Sequence, residues 1–150
     1  MRDDPTDDPA GGIGDSLRRA EAAVARLAET YIDWAQNDVA AMRAALDAAR
    51  TDPDHLEDHL TTLHGVAHNV KGQGGSFGFP LITRIGQSLC RLVRGRGQIS
   101  TIELAIASAH VDAIALLLDK RVGGDGGETG QILAARLEAL VDGGDRRASA

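Results

Sequence analysis

From Leu56 to Phe77 the apolar residues fall at alternating steps of four and three: Leu56, Leu60, Leu63, Ala67, Val70, Gly74, Phe77. That spacing is the signature of a helix packing into a bundle, since a strand would alternate every second residue. Asp52-Pro53 supplies a helix start, because proline at the first helical position forgoes no needed hydrogen bond, and Gly78 offers a left-handed cap at the other end.

The remaining segments repeat the helical period, and none reads as a strand. Asp15 or Ser16 is the expected cap of a first helix bearing Leu17, Ala20, Val24, Leu27 and Tyr31. A second stripe follows at Ala35, Val39, Met42, Leu46 and Ala49. Gln36-Asn37-Asp38 lies between the two, with Asn37 or Asp38 able to cap a new helix, so the spacing allows either two helices or one long one. Pro80 opens another helix with Ile82, Ile85, Leu89 and Leu92 inward, ended by Gly95-Arg96-Gly97. Ser100 and Glu103 form a capping box behind Ile99, a candidate hydrophobic staple, and that helix should run to about Val122. The stretch GGDGGETG reads as a flexible connector, and a last helix, about Thr129 to Val141, should turn Ile132, Leu133, Leu137 and Leu140 inward.

The expected fold is all-α: an antiparallel four-helix bundle with additional N- and C-terminal helices. One domain should occupy residues 15–142, its core bundle about 30–122, with 1–14 a disordered lead-in and 143–150 a flexible tail. A length of 150 residues suits a single core. The net charge of −6 and pI near 5.2 leave no footprint for nucleic acid or an anionic membrane. No apolar run near bilayer length is evident, and the acidic MRDDPTDDPAGG is unlike a secretory signal. A lone cysteine, Cys90, between Leu89 and Leu92, points to a buried thiol and a cytoplasmic location.

The chemistry concentrates in HGVAHNVKGQGGSFG, residues 64–78. At about 100° per residue, Thr61, His64, Gly65, His68, Lys71, Gly72 and Gly75 share one outward face beside the core stripe. Glycine costs about 1 kcal/mol relative to alanine inside a helix, so a helix that thins its side chains around an imidazole is leaving room for something to approach. With a lysine one turn on and no carboxylate beside it, His68 is a poor general base but a serviceable nucleophile near neutral pH. Lys71 would pair with an arriving phosphoryl group. Gln73 and Ser76 flank the patch and could hydrogen-bond a phosphoryl oxygen. His55, His59, His64 and His68 recur at near-helical steps, yet no acid or thiol shares the face of His64 and His68 to complete a metal site, so none is expected.

AHNVKGQGGSFG resembles the signature of histidine-phosphotransfer (HPt) domains: a histidine, then lysine three on, glycine four on, a small residue seven on, an apolar residue nine on and glycine ten on. Those are His68, Lys71, Gly72, Gly75, Phe77 and Gly78. The similarity covers roughly residues 30–122. It implies a four-helix bundle exposing His68 midway along its second helix, reversible phosphorylation of that ring, and exchange with the aspartate of a response-regulator receiver domain. It further implies a hybrid or sensor histidine kinase as a partner, and Mg²⁺ carried by the receiver, not by this chain. Where many members of the family carry an acid, 22 residues beyond the histidine, this chain has Cys90. Sensor kinases place an acid directly after their histidine; here it is Asn69, and no nucleotide-binding box is found, so a carrier and not an enzyme is expected. The competing readings are a helical module that docks receivers without taking phosphate, and a metal-binding bundle.

Overall fold

The computed structural model describes the backbone of residues 9–149 and the side chains of residues 12–144. Among the described residues there are five α-helices and no strand: α1 Pro9–Thr51, α2 Leu56–Gly74, α3 Pro80–Val93, α4 Thr101–Asp119 and α5 Gly127–Ser149. α1 packs on α2 and α4, α2 on α3, and α3 on α4, so these four close a ring around a shared core, while α5 lies against α3 and α4.

α1 is a single helix carrying both stripes, so among the described residues no separate N-terminal helix precedes it. Gln36, Asn37 and Asp38 do not interrupt it, because Ala35 and Val39 on either side are buried in the core and hold the turn between them. The helix also starts earlier than the expected cap at Asp15 or Ser16, at Pro9, whose fixed φ suits a first turn. Residues 1–8 of the expected lead-in lie outside the described residues. α5 likewise continues past Val141 to Ser149, because Gly143 and Gly144 do not take the left-handed backbone that would cap it; Ala150 lies outside the described residues.

Leu17, Val24 and Leu27 of α1, whose stripe the spacing left without an assigned partner, are each more than half exposed. One expected inward face is corrected. On α5 the buried positions among the described side chains are Gly130, Ala134, Leu137, Val141 and Gly144, whereas Ile132 and Leu140 are exposed. The phase is set at Gly130, where a Cβ would come within 2.8 Å of Leu81, so α5 touches α3 closely on that face. Arg84 completes the contact with a two-pronged bond to Glu138 (3.0 and 2.6 Å).

α4 begins at the Ser100–Glu103 capping box, with Ile99 partly buried against the core. It is the most apolar helix, and its length and mean hydropathy of 1.7 reach those of a bilayer span, contrary to the sequence expectation; the window holds only two charged residues, Glu103 and Asp112. Half of that window is buried against the bundle. Within it His110 is buried, its Nδ1–H donating to the Ile106 carbonyl (2.8 Å) and its Nε2 meeting the Ser88 hydroxyl (2.9 Å). Burial lowers the pKa of this imidazole, which Arg91 also opposes charging and which the Ile106 carbonyl and Glu138 favour charging. The unfolded chain therefore binds more protons in mild acid than the folded one. The stability contributed by neutral His110 is complete above about pH 6.5 and is lost as pH falls below that value. Urea unfolding of His110→Leu is expected to lose about 1–3 kcal/mol at neutral pH, through the orphaned Ser88 hydroxyl, and to show a shallower decline between neutrality and pH 5 than the parent.

Candidate functional site

The register that buries Leu60, Leu63, Ala67, Val70 and Gly74 leaves His68 exposed on the flank of α2, with His64 and Lys71 half-buried one turn to either side. The His64 and His68 rings stack at 6.2 Å between centroids and 21° between planes. Both imidazoles and Lys71 open onto a cleft of about 350 Å³ between α2 and α3, completed by Gln87, Cys90, Arg91 and Arg94. No carboxylate lines it. Burial lowers the pKa of His64, reinforced by the neighbouring charges of His68, Arg94 and Lys71, so His64 stays neutral to lower pH than an ordinary imidazole. The Cys90 thiol is buried and its pKa is raised by that burial, which leaves it protonated and unreactive at neutral pH.

α3 fixes the far end of the patch. Thr83 donates from its hydroxyl to the Lys71 carbonyl (2.9 Å) and accepts from the Gly75 N–H (2.8 Å), tying the last turn of α2 to its neighbour. Gly86 allows the close approach: a Cβ there would press on the Lys71 backbone at 3.3 Å. Beyond α2 the chain makes one tight turn, Gly75–Phe77, and reverses at Gly78, whose φ of +89° favours glycine. Phe77 stacks on Tyr31 at 5.2 Å and meets Trp34 edge-on at 6.5 Å, clamping this turn to α1.

The resulting surface is an exposed imidazole set in a shallow, acid-free cleft, with bare backbone beside it. Comparison with known families then places it. The sequence model of the Hpt domain matches residues 26–123, about two-thirds of the chain. The chain belongs to the Hpt domain family. No curated protein and no solved structure matches it. Hpt domains are helical phosphocarriers of two-component signalling, not kinases, and they work with receiver domains and histidine kinases.

In this Hpt domain the residues singled out in the sequence fall into three groups. His64, His68 and Lys71 meet in the cleft. Thr61 lies one turn up, in a smaller cleft that His64 shares with Glu57, Val93, Gly95 and Arg96. Gly65, Gly72, Gln73, Gly75 and Ser76 are exposed and line neither cleft. Gly75 and Ser76 sit past the end of α2 in the tight turn, so a single helical face does not extend to them. A Cβ at Gly65 or Gly72 would meet nothing within 4 Å, so no contact inside the chain calls for glycine at either place. Gly74, which the sequence places in the core stripe, differs: a Cβ there would come within 2.6 Å of the Thr83 hydroxyl and 3.0 Å of the Phe79 carbonyl.

Gln87, Arg91 and Arg94 went unremarked in the sequence. The signal existed, since Thr83, Gln87 and Arg91 recur at steps of four on one side of α3, with Arg94 three residues on at its end. Arg91 is held by Asp142 of α5 at 2.6 Å, so the C-terminal helix positions one wall of the cleft. The other histidines are engaged elsewhere: His55 and His59 both hydrogen-bond the Asp52 carboxylate, at 3.0 and 2.9 Å. Among the described residues no three His, Cys, Asp or Glu side chains converge to hold a metal ion.

Proposed function

We propose that this Hpt domain is an antiparallel four-helix phosphoryl carrier that accepts a phosphoryl group on His68 and exchanges it with the aspartate of response-regulator receiver domains, in the cytoplasm. The observation that carries the reading is the exposed His68 beside Lys71 in a cleft without a carboxylate, flanked by Gly65 and Gly72 that nothing within the chain requires. In the forward step a ring nitrogen of neutral His68 attacks phosphorus. The new N–P bond forms as the O–P bond to the receiver's aspartate breaks, and the aspartate leaves as a carboxylate. Phosphoryl transfer is limited by positioning and charge stabilisation, and the two chains divide that work. The receiver brings Mg²⁺ and its acidic pocket, so the carrier needs no cofactor of its own. Lys71, with Arg94 and Gln87 across the cleft, supplies donors for the phosphoryl oxygens. Phosphate arrives from a hybrid or sensor histidine kinase through such a receiver. Thr61, Gly65, Gly72, Gln73, Gly75 and Ser76 form the contact surface around the reacting ring, with Phe77 and Gly78 shaping its end.

The test is incubation with a phosphorylated receiver domain, which should place an acid-labile, base-stable phosphoryl group on this chain. Binding of the receiver without label would select the alternative, a docking module that takes no phosphate. Lys71→Ala should slow transfer about 10- to 100-fold, the worth of one hydrogen bond to a charged group. Lys71→Arg, which keeps the charge, should recover much of that rate in a rapid-quench time course.

A further inference from the structure

The N-terminal half of α1 carries a feature that phosphotransfer does not use. From Ile13 to Trp34 the chain holds three consecutive heptads: Ile13, Ala20, Leu27 and Trp34 repeat every seven residues, interleaved with Leu17, Val24 and Tyr31. Apart from Ala20 and Tyr31 these are large and open, with Ile13 62 %, Leu17 57 %, Val24 65 %, Leu27 55 % and Trp34 52 % exposed. None of the described residues before Tyr31 is buried, and most of this stretch precedes residue 26, where the Hpt match begins. Most helical stability in a protein comes from packing an amphipathic face, and this arm also contains Gly12 and Gly14. A strict seven-residue repeat of apolar side chains is the pattern by which one helix packs on a helix of its own kind.

We infer that two copies of this chain associate through that face of α1, antiparallel, as a two-stranded coiled coil. The direction follows from Tyr31. Its ring is covered by Phe77 and Phe79 of its own chain, at 5.2 and 5.3 Å, so the seam ends against the bundle. A parallel partner would have to continue through the volume those rings fill, whereas an antiparallel partner terminates there. In that arrangement Ala20 lies opposite Val24 of the other copy and Leu17 opposite Leu27, symmetrically about the midpoint, while Ile13 falls at the covered Tyr31 end of the partner's seam and Trp34 lies beyond it. The flanking positions are Gly14, Ser16, Ala23, Ala28 and Thr30, with Glu21 the one charge, and so let the helices approach closely.

Area decides the strength. The seam, from Ile13 to Tyr31, is about 27 Å long and a helix about 10 Å wide, so a pair covers on the order of 500–600 Å² before flanking side chains are counted. Stable complexes bury about 1,200–2,000 Å². The dimer is therefore a weak one, formed and lost with concentration. Seam and cleft share no residue, so pairing leaves His68 open to a receiver.

Sedimentation equilibrium of the full chain, from low micromolar to sub-millimolar, should show the mean mass rising from 15.7 kDa towards twice that value. Leu17→Glu with Leu27→Glu, both on the exposed face, should weaken association at least about tenfold while circular dichroism still reports a folded helical bundle. For direction, Leu17→Cys mixed with Leu27→Cys should yield a crossed disulfide, and neither variant alone should link to itself. A mass fixed at 15.7 kDa throughout overturns the proposal, as does association that the double variant keeps. Links between identical positions only would overturn the antiparallel arrangement.

Discussion

His68→Gln should abolish phosphoryl labelling by a phosphorylated receiver, a fall on the order of 10³-fold or more, as expected when the nucleophile of a covalent transfer is removed. Glutamine keeps much of the size and polarity of histidine, but its amide nitrogen is not nucleophilic. Because His68 is exposed and its main neighbour is the stacked His64 ring, the substitution should shift unfolding free energy by no more than about 0.5 kcal/mol. Receiver binding, measured by titration, should survive. The decisive control is the second imidazole in the same cleft. If label persisted in His68→Gln and vanished only when His64 was also replaced, the carrier reading would stand with the wrong residue named. If label persisted with both replaced, the cleft would not be the acceptor at all.

How far the sequence revealed this molecule depends on which partner each residue answers to. α2 was legible because one stripe of apolar residues faces one core, and the same register that buries Ala67 and Val70 turns His68 outward. The Ser100–Glu103 cap was legible because both partners lie within one turn. The wall of the cleft was less so, since Gln87, Arg91 and Arg94 become neighbours of His68 only through the packing of α3 on α2, which Gly86 and Gly74 permit from opposite sides. The phase of α5 was misjudged for a related reason. Ile132 and Leu140 are apolar enough to be core, but a tight contact at Gly130 decided which face turned inward. Leu17, Val24 and Leu27 show the limit of periodicity most plainly: a repeat states that a face is made for packing, without stating whether its partner belongs to the same chain.

Gly72→Leu should separate what the motif does for the fold from what it does for transfer. Three glycines near His68 look alike in the sequence and are unlike in space. At Gly74 a side chain would strike Thr83 and the Phe79 carbonyl, and at Gly86 the Lys71 backbone, so larger residues there force the helices apart and destabilise the bundle by about 1–3 kcal/mol. At Gly72 a Cβ meets nothing within 4 Å, and leucine is a better helix former by up to about 0.8 kcal/mol. The variant should therefore melt higher, by about 2–3 °C for a chain of this size. Transfer should move the opposite way. A leucine one turn from His68 stands where the receiver's backbone must come close, and holding the reacting atoms even about 1 Å too far apart costs on the order of 10²-fold. A thermal melt and a phosphotransfer time course on the same preparation give both numbers. A more stable protein that transfers poorly would mean that glycine is kept there for the partner's approach. A more stable protein that transfers at the parental rate would remove the clearance argument, and leave His68 and Lys71 to account for recognition unaided.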